Sequence, residues 1–219
     1  DVMSSPDRRP LYNVLVSAIK EGKISEVYDS SYFTTKKTLK DIEASLFKID
    51  TSDVGREQMN EDIDAYRKGT KKISEEYIRK TEIQAYDVDA YKVVGYWYFD
   101  KRQGELKYRM LGICPVVPDV YTMGDDSAQK EYIELFWVYF PSSRDVLHAA
   151  KAFNNRNSAM SFTFDHLLNA RRFSGVVYLE ENVYGDRQIQ EYMKDNALNQ
   201  LLEAERVKDK IRDFEQDMW

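Results

Sequence analysis

Polar and apolar positions along the chain change period several times, and each change marks an element. Residues 10–22, "PLYNVLVSAIKEG", place Leu11, Val14, Leu15, Ala18 and Ile19 on one helical face. Pro10 suits the first turn of that helix and Gly22 its stop. Leu39, Ile42, Leu46 and Phe47 predict a second helix over about 35–48, capped by Thr34 or Thr35. Residues 50–70 are polar and weakly periodic, which reads as a loop with room for a short helix. In 73–83 the spacing of Ile73, Tyr77 and Ile78 predicts another helix.

The period then falls to two. Tyr91, Val93, Trp97 and Phe99 alternate with polar positions in "DAYKVVGYWYFD", and Leu106, Tyr108 and Met110 do so in the opposite parity after "KRQG". Two such runs around a four-residue loop containing Gly predict a β-hairpin over about 88–117. Pairing Phe99 with Leu106 sets Trp97 opposite Tyr108 and Tyr91 opposite Cys114; a slip of one residue would scramble the inward set. Apolar residues of both parities from Leu135 onward predict a strand over about 131–140 that is covered on both faces. Pro141 ends it, and Ser142 or Ser143 caps a following helix. Further on, "FTFDHLLNARR" reads as a helix and 174–182 as a strand. The last pattern is the most regular. Ala197, Leu201, Ala204, Val207, Ile211, Phe214 and Met218 recur at helical intervals behind a cap at Asp195 or Asn196.

Together these patterns give an α+β fold. A central antiparallel sheet is flanked by N-terminal helices and a long C-terminal amphipathic helix. The 219 residues suit one such domain, with a helical part over about 8–83 and the sheet and later helices over about 88–219.

Composition narrows the function classes. A net charge of −6 with only short basic runs argues against nucleic acid. The longest apolar runs, 93–99 and 135–140, fall far below the roughly 18–20 residues that span a bilayer, so no direct membrane insertion is expected. Cys114 is the only cysteine, which excludes an internal disulfide. As a nucleophile it would need partial exposure and an electropositive setting, whereas the hairpin register points it inward. His148 and His166 stand alone, without ligand spacing, and no phosphate-binding glycine motif or nucleophile elbow occurs. The aspartates of "YDVDA" (86–90) and "MGDDSA" (123–128) lack a calcium-loop continuation. No catalytic, cofactor or metal residues are therefore assigned. The alternatives are a small hydrolase-like enzyme using carboxylates or Cys114, or a soluble ligand-binding domain with one deep pocket. The aromatic concentrations, with the terminal helix, favour partner binding instead. The residues singled out are Trp97, Phe99, Trp137, Tyr139 and Trp219.

Four ordered stretches carry a resemblance: "YFDKRQGELKYRMLGICPVV", "LFWVYFPSSRDVL", "FDHLLNARRFSGVVYLEENVY" and "LLEAERVKDKIRDFEQDMW". Together they resemble the GldN / PorN family of gliding motility and type IX secretion in the Bacteroidetes. The resemblance implies a non-enzymatic periplasmic protein without cofactor, held at the inner face of the outer membrane by a GldK/PorK-type lipoprotein. It further implies self-association in a ring and contact with a GldM/PorM-type motor protein. The opening "DVMSSPDRRP" lacks the basic start and apolar run of a secretory leader, so on its residues alone either there was no leader or it has been removed; the leader that the resemblance implies is consistent with a mature or trimmed chain.

Overall fold

The computed structural model describes residues 9–61, 75–123, 131–152, 162–183, 185–194 and 196–217. The chain groups into two compact units. One takes residues 1–95 and 110–166, the other 96–109 and 167–219. The first unit draws on both the helical part expected over about 8–83 and the sheet part expected over about 88–219.

In the first unit, α1 (Leu11–Lys20) buries Val14, Leu15, Ala18 and Ile19 of the face that the periodicity marks, with Tyr12 buried beside them and Leu11 only half-buried. Gly22, at φ +71, turns the chain after it. Strand β1 (Val27–Tyr28) follows, then α2 (Leu39–Leu46). The cap of α2 is Thr38, whose hydroxyl accepts from the Asp41 N–H while the Asp41 carboxylate accepts from the Thr38 N–H. That reciprocal pair starts the helix later than Thr34 or Thr35 would. Phe47 opens β2 (Phe47–Thr51) instead of closing the helix. After α3 (Asp53–Glu61), β3 (Ile78–Glu82) pairs antiparallel with β2, Phe47 opposite Glu82 and Thr51 opposite Ile78. The helix expected over 73–83 is thus a strand from residue 78.

The main sheet has the order β1-β7-β5-β4, with β6 also on β5. Its members are β4 (Ala90–Asp100), β5 (Glu105–Pro118), β6 (Tyr132–Glu134) and β7 (Trp137–Tyr139). The Asp89 N–H donates to the Val116 carbonyl at 3.1 Å, and the Trp97 and Tyr108 ring centroids lie 5.4 Å apart. Both contacts follow the predicted hairpin register. At the turn the Asp100 carbonyl accepts from the N–H groups of Gln103 and Gly104, and Gly104 takes φ +65. The strand expected over 131–140 divides at Leu135–Phe136. β6 pairs with β5 at Val116–Pro118, and β7 pairs with it at Gly112–Ile113. β7 also carries β1 on its other edge, Val27 opposite Val138. Ile113, Cys114, Val117, Leu135, Phe136, Trp137 and Val138 are all fully or almost fully buried. Burial on this scale stabilises by about 1.5–3 kcal/mol per large side chain.

The strand ends at Tyr139 as expected, and Pro141 occupies the first turn of α4 (Phe140–Ala149), where its missing N–H costs nothing. Ser142 and Ser143 lie inside that turn and donate to the carbonyls of Tyr139 and Phe140. A short pair, β8 (Lys151–Ala152) and β9 (Phe162–Thr163), leads into α5 (Phe164–Asn169). Arg144 on α4 forks onto Asp165 on α5, at 2.8 and 3.1 Å.

The second unit holds the hairpin tip and α6 (Ile189–Tyr192) and α7 (Ala197–Gln216). The side chain of Asn196 caps α7 by accepting from the Leu198 N–H at 2.9 Å. Ala204 and Val207 are buried, but Leu201 and Phe214 of the expected seam are exposed. Residues 174–182 are extended without a paired strand. Their backbone is held by the Tyr178 carbonyl, which accepts from the Ile189 N–H at 2.9 Å, and by the Asn182 N–H, which donates to the Asp186 carboxylate at 2.8 Å.

Candidate interaction surfaces

The five aromatics singled out in the sequence have different fates. Trp137 has no exposed surface. β7 lies between β5 and β1, so both of its edges are paired, and Trp137 and Val138, which point to opposite faces, are both fully buried. The indole packs with Tyr28 and Cys114, and its Nε1–H donates to Glu134 at 2.8 Å. This corrects the expectation of a partner anchor, because Trp137 is a core residue. Tyr139 is partly buried beside the same cluster, its ring 5.4 Å from that of Phe33. Sequence reasoning missed Phe33, which holds this corner together. Its ring meets Tyr28 edge-on at 5.4 Å and Trp137 at 6.4 Å, from a backbone at φ +55. No periodicity signals a loop residue that reaches back over a sheet.

Trp97 and Phe99 lie in the second unit. Trp97 is half-buried between Tyr108 and the guanidinium of Arg171, whose carbon stands 4.5 Å from the indole centroid and 5.5 Å from that of Tyr108. Phe99 is 36% exposed. On the other parity of the hairpin, Tyr96 and Tyr98 sit 6.0 Å apart, and Arg109 reaches to 5.4 Å from the Tyr98 ring. The charge on Arg109 is favoured first by the charge interaction and hydrogen bond with Tyr96, then by Tyr98. The hairpin register brings Tyr96 and Arg109 together, and the alternation that selects Trp97 and Phe99 leaves them out. Trp219 lies outside the described residues.

The candidate chemistry is placed as follows. Cys114 is fully buried, and its thiol donates to the Pro115 carbonyl at 3.4 Å. Burial, with the Glu134 charge adding to it, raises the thiol from 9.0 to about 12. A nucleophilic cysteine requires the opposite shift. His166 stacks on Phe162 at 5.7 Å, and His148 occupies the last turn of α4. Asp87 is a capping residue that accepts from the Gln84 N–H at 2.7 Å. The stretch "MGDDSA" lies outside the described residues from position 124. Among the described residues no group of three or more His, Cys, Asp or Glu side chains is arranged to hold a metal ion, and no helix is long and apolar enough to cross a membrane. A groove of about 340 Å³ runs beside α1 between Arg9, Lys20, Leu46 and Glu82. The Tyr12 hydroxyl in its wall donates to the Ile83 carbonyl at 3.3 Å.

Cys114 gives a direct test. We expect native protein to resist thiol-specific reagents at neutral pH until denaturant is added, and Cys114→Ala to alter stability without altering assembly. Folding raises the thiol pKa, so its contribution to stability is intact below the unfolded value near 9 and falls as pH rises towards 12. The difference in unfolding free energy between the parent and Cys114→Ala should therefore drift against the parent from pH 9 upward, by at most about 1.4 kcal/mol per pH unit. Labelling of native protein within seconds would contradict the burial.

A search of curated proteins finds no match. The model of a protein family does match, over residues 3–219, and its span includes all four stretches on which the resemblance rests. The chain belongs to the GldN family of gliding motility associated proteins, components of the gliding-motility machinery.

Proposed function

We propose that this protein is a non-enzymatic scaffold of the type IX secretion and gliding apparatus. It resides in the periplasm, bound to a GldK/PorK-type lipoprotein that holds it at the inner face of the outer membrane. It repeats with that partner around a ring and meets a GldM/PorM-type motor protein from the inner membrane. The match to the GldN family along residues 3–219 carries this reading. The sealed thiol of Cys114 and the aromatic–arginine surface of the hairpin tip agree with a protein that works through contacts. Ring closure requires a head-to-tail interface, in which one surface of each copy meets a different surface of the next.

Affinity purification of the full-length protein from host envelopes under mild detergent tests the proposal. The lipoprotein and the motor protein should be recovered together with it, in the membrane-associated periplasmic fraction. Recovery of neither, under conditions that keep other envelope complexes intact, would overturn it.

A further inference from the structure

The second unit carries two surfaces of opposite character. The first is the hairpin tip. Residues 96–109 and 170–173 hold six cations and two carboxylates, a net +4 on a chain of net −6. Lys107 pairs with Asp100, but among the described residues no carboxylate lies within ion-pair distance of Lys101, Arg102, Arg109 or Arg171. Two of these are fixed in place, Arg171 against Trp97 and Tyr108 and Arg109 against Tyr96 and Tyr98. A guanidinium held on an aromatic face keeps its outer N–H fork free for a carboxylate. On the face of Trp97 and Arg171 Phe99 is 36% exposed, and on the opposite face, with Arg109, Tyr96 is 42% exposed.

The second surface is the C-terminal end of α7. Asp213, Glu215 and Asp217 are exposed there, and no cation of the described residues reaches them; the neighbouring pair is Arg212 with Asp209. The last turn holds no basic residue. Carboxylates at this end add to the negative pole of the helix, which disfavours them in an isolated chain. Phe214 projects among them, 52% exposed. An aromatic side chain ringed by carboxylates matches exposed aromatics ringed by cations, in both charge and apolarity.

We propose that the acidic end of α7 in one copy of this chain docks on the aromatic–basic hairpin tip of a second copy. Phe214 meets Phe99, while Asp213, Glu215 and Asp217 meet Lys101, Arg102 and Arg171. The two surfaces differ, so the contact is head-to-tail and can repeat. This rests on the proposed function, and it specifies the interface that such a function leaves open. Fixed arginines suit the carboxylates of a folded partner better than a fluid lipid surface, where mobile lysines would serve.

Sedimentation velocity of the full chain at low and high salt reads the contact. Association should strengthen with concentration and weaken with salt, since rim charges are screened within about 10 Å at 0.1 M. Lys101→Glu with Arg102→Glu, or Asp213→Lys with Glu215→Lys, should each weaken association about tenfold or more. These side chains are exposed, so circular dichroism should not change, and melting should not fall, since lysines at the end of α7 suit its negative pole. The decisive variant carries both reversals in one chain and should recover association, as should an equimolar mixture of the two single-surface variants. Three results would overturn the inference: a monomer at all concentrations in low salt, association indifferent to both reversals, or failure of the combined variant to recover. Charge-dependent binding of the tip to phosphatidylglycerol vesicles without self-association would also overturn it, in favour of a lipid partner. If indifferent association accompanies recovery of the lipoprotein from envelopes, the interface is wrong while the scaffold function stands.

Discussion

Gly112→Ala should destabilise the protein by about 3 kcal/mol, the upper end of what a single overpacked core methyl costs. A Cβ at position 112 would lie 2.4 Å from Cζ of Phe33 and 3.2 Å from the Val138 carbonyl oxygen. The carbonyl belongs to β7, the neighbouring strand, and cannot recede without breaking the pairing of Gly112 with Tyr139. The ring must therefore move. Phe33 holds a left-handed backbone that costs a residue with a Cβ about 1–2 kcal/mol, and its contacts with Tyr28, Trp137 and Tyr139 offset that cost. Displacing the ring forfeits the contacts and keeps the strain. Urea unfolding of Gly112→Ala, Phe33→Ala and the double variant measures this. Phe33→Ala alone should also destabilise, but the double variant should lose clearly less than the two losses added, because the new methyl enters space the ring has left. Strict additivity would show that the ring and the glycine do not share a site.

The hairpin was legible because two independent constraints, alternation of both strands and a four-residue glycine loop, demand the same register. Helix α1 was legible because its apolar face and its buried face coincide. Elements were misread where contacts distant in sequence decide the conformation. Residues 78–82 hold one strongly apolar side chain, Ile78, so neither a period of two nor one of 3.6 stands out; the backbone ladder to β2 makes them a strand. Conversely, "GVVYL" in 174–182 has high β propensity but no paired strand, and Val176 remains 58% exposed. The same distinction divides the interaction surface. Aromatic density located the hairpin tip, but it could not separate Trp97, stacked against Arg171, from Trp137, which Tyr28, Cys114 and Phe33 enclose. Arg171 itself lies 74 residues beyond Trp97 in the numbering, and only folding brings them together.

Trp137→Ala should cost about 4 kcal/mol, within the range for removing a fully buried indole from a packed core. Nothing in the surroundings closes the gap easily. The indole is flanked by Tyr28, Cys114 and Phe33, and the strands on either side of β7 are fixed by their ladders. Removing it also leaves Glu134 with Lys92 as its partner but without the Nε1–H donor at 2.8 Å. Trp137→Phe separates the two contributions. It retains an aromatic body against Phe33, loses the hydrogen bond and part of the volume, and should cost about 1–2 kcal/mol. Phe99→Ala supplies the contrast, since Phe99 is 36% exposed and should shift stability by no more than about 1 kcal/mol. Urea denaturation with sedimentation velocity on the same samples distinguishes a core residue from a contact residue. Trp137→Ala should lower the unfolding midpoint, and whatever remains folded should associate like the parent. Phe99→Ala should keep the midpoint and weaken association. If Trp137→Ala instead kept its midpoint and lost association, the indole would face a partner and could not be enclosed by Tyr28, Cys114 and Phe33.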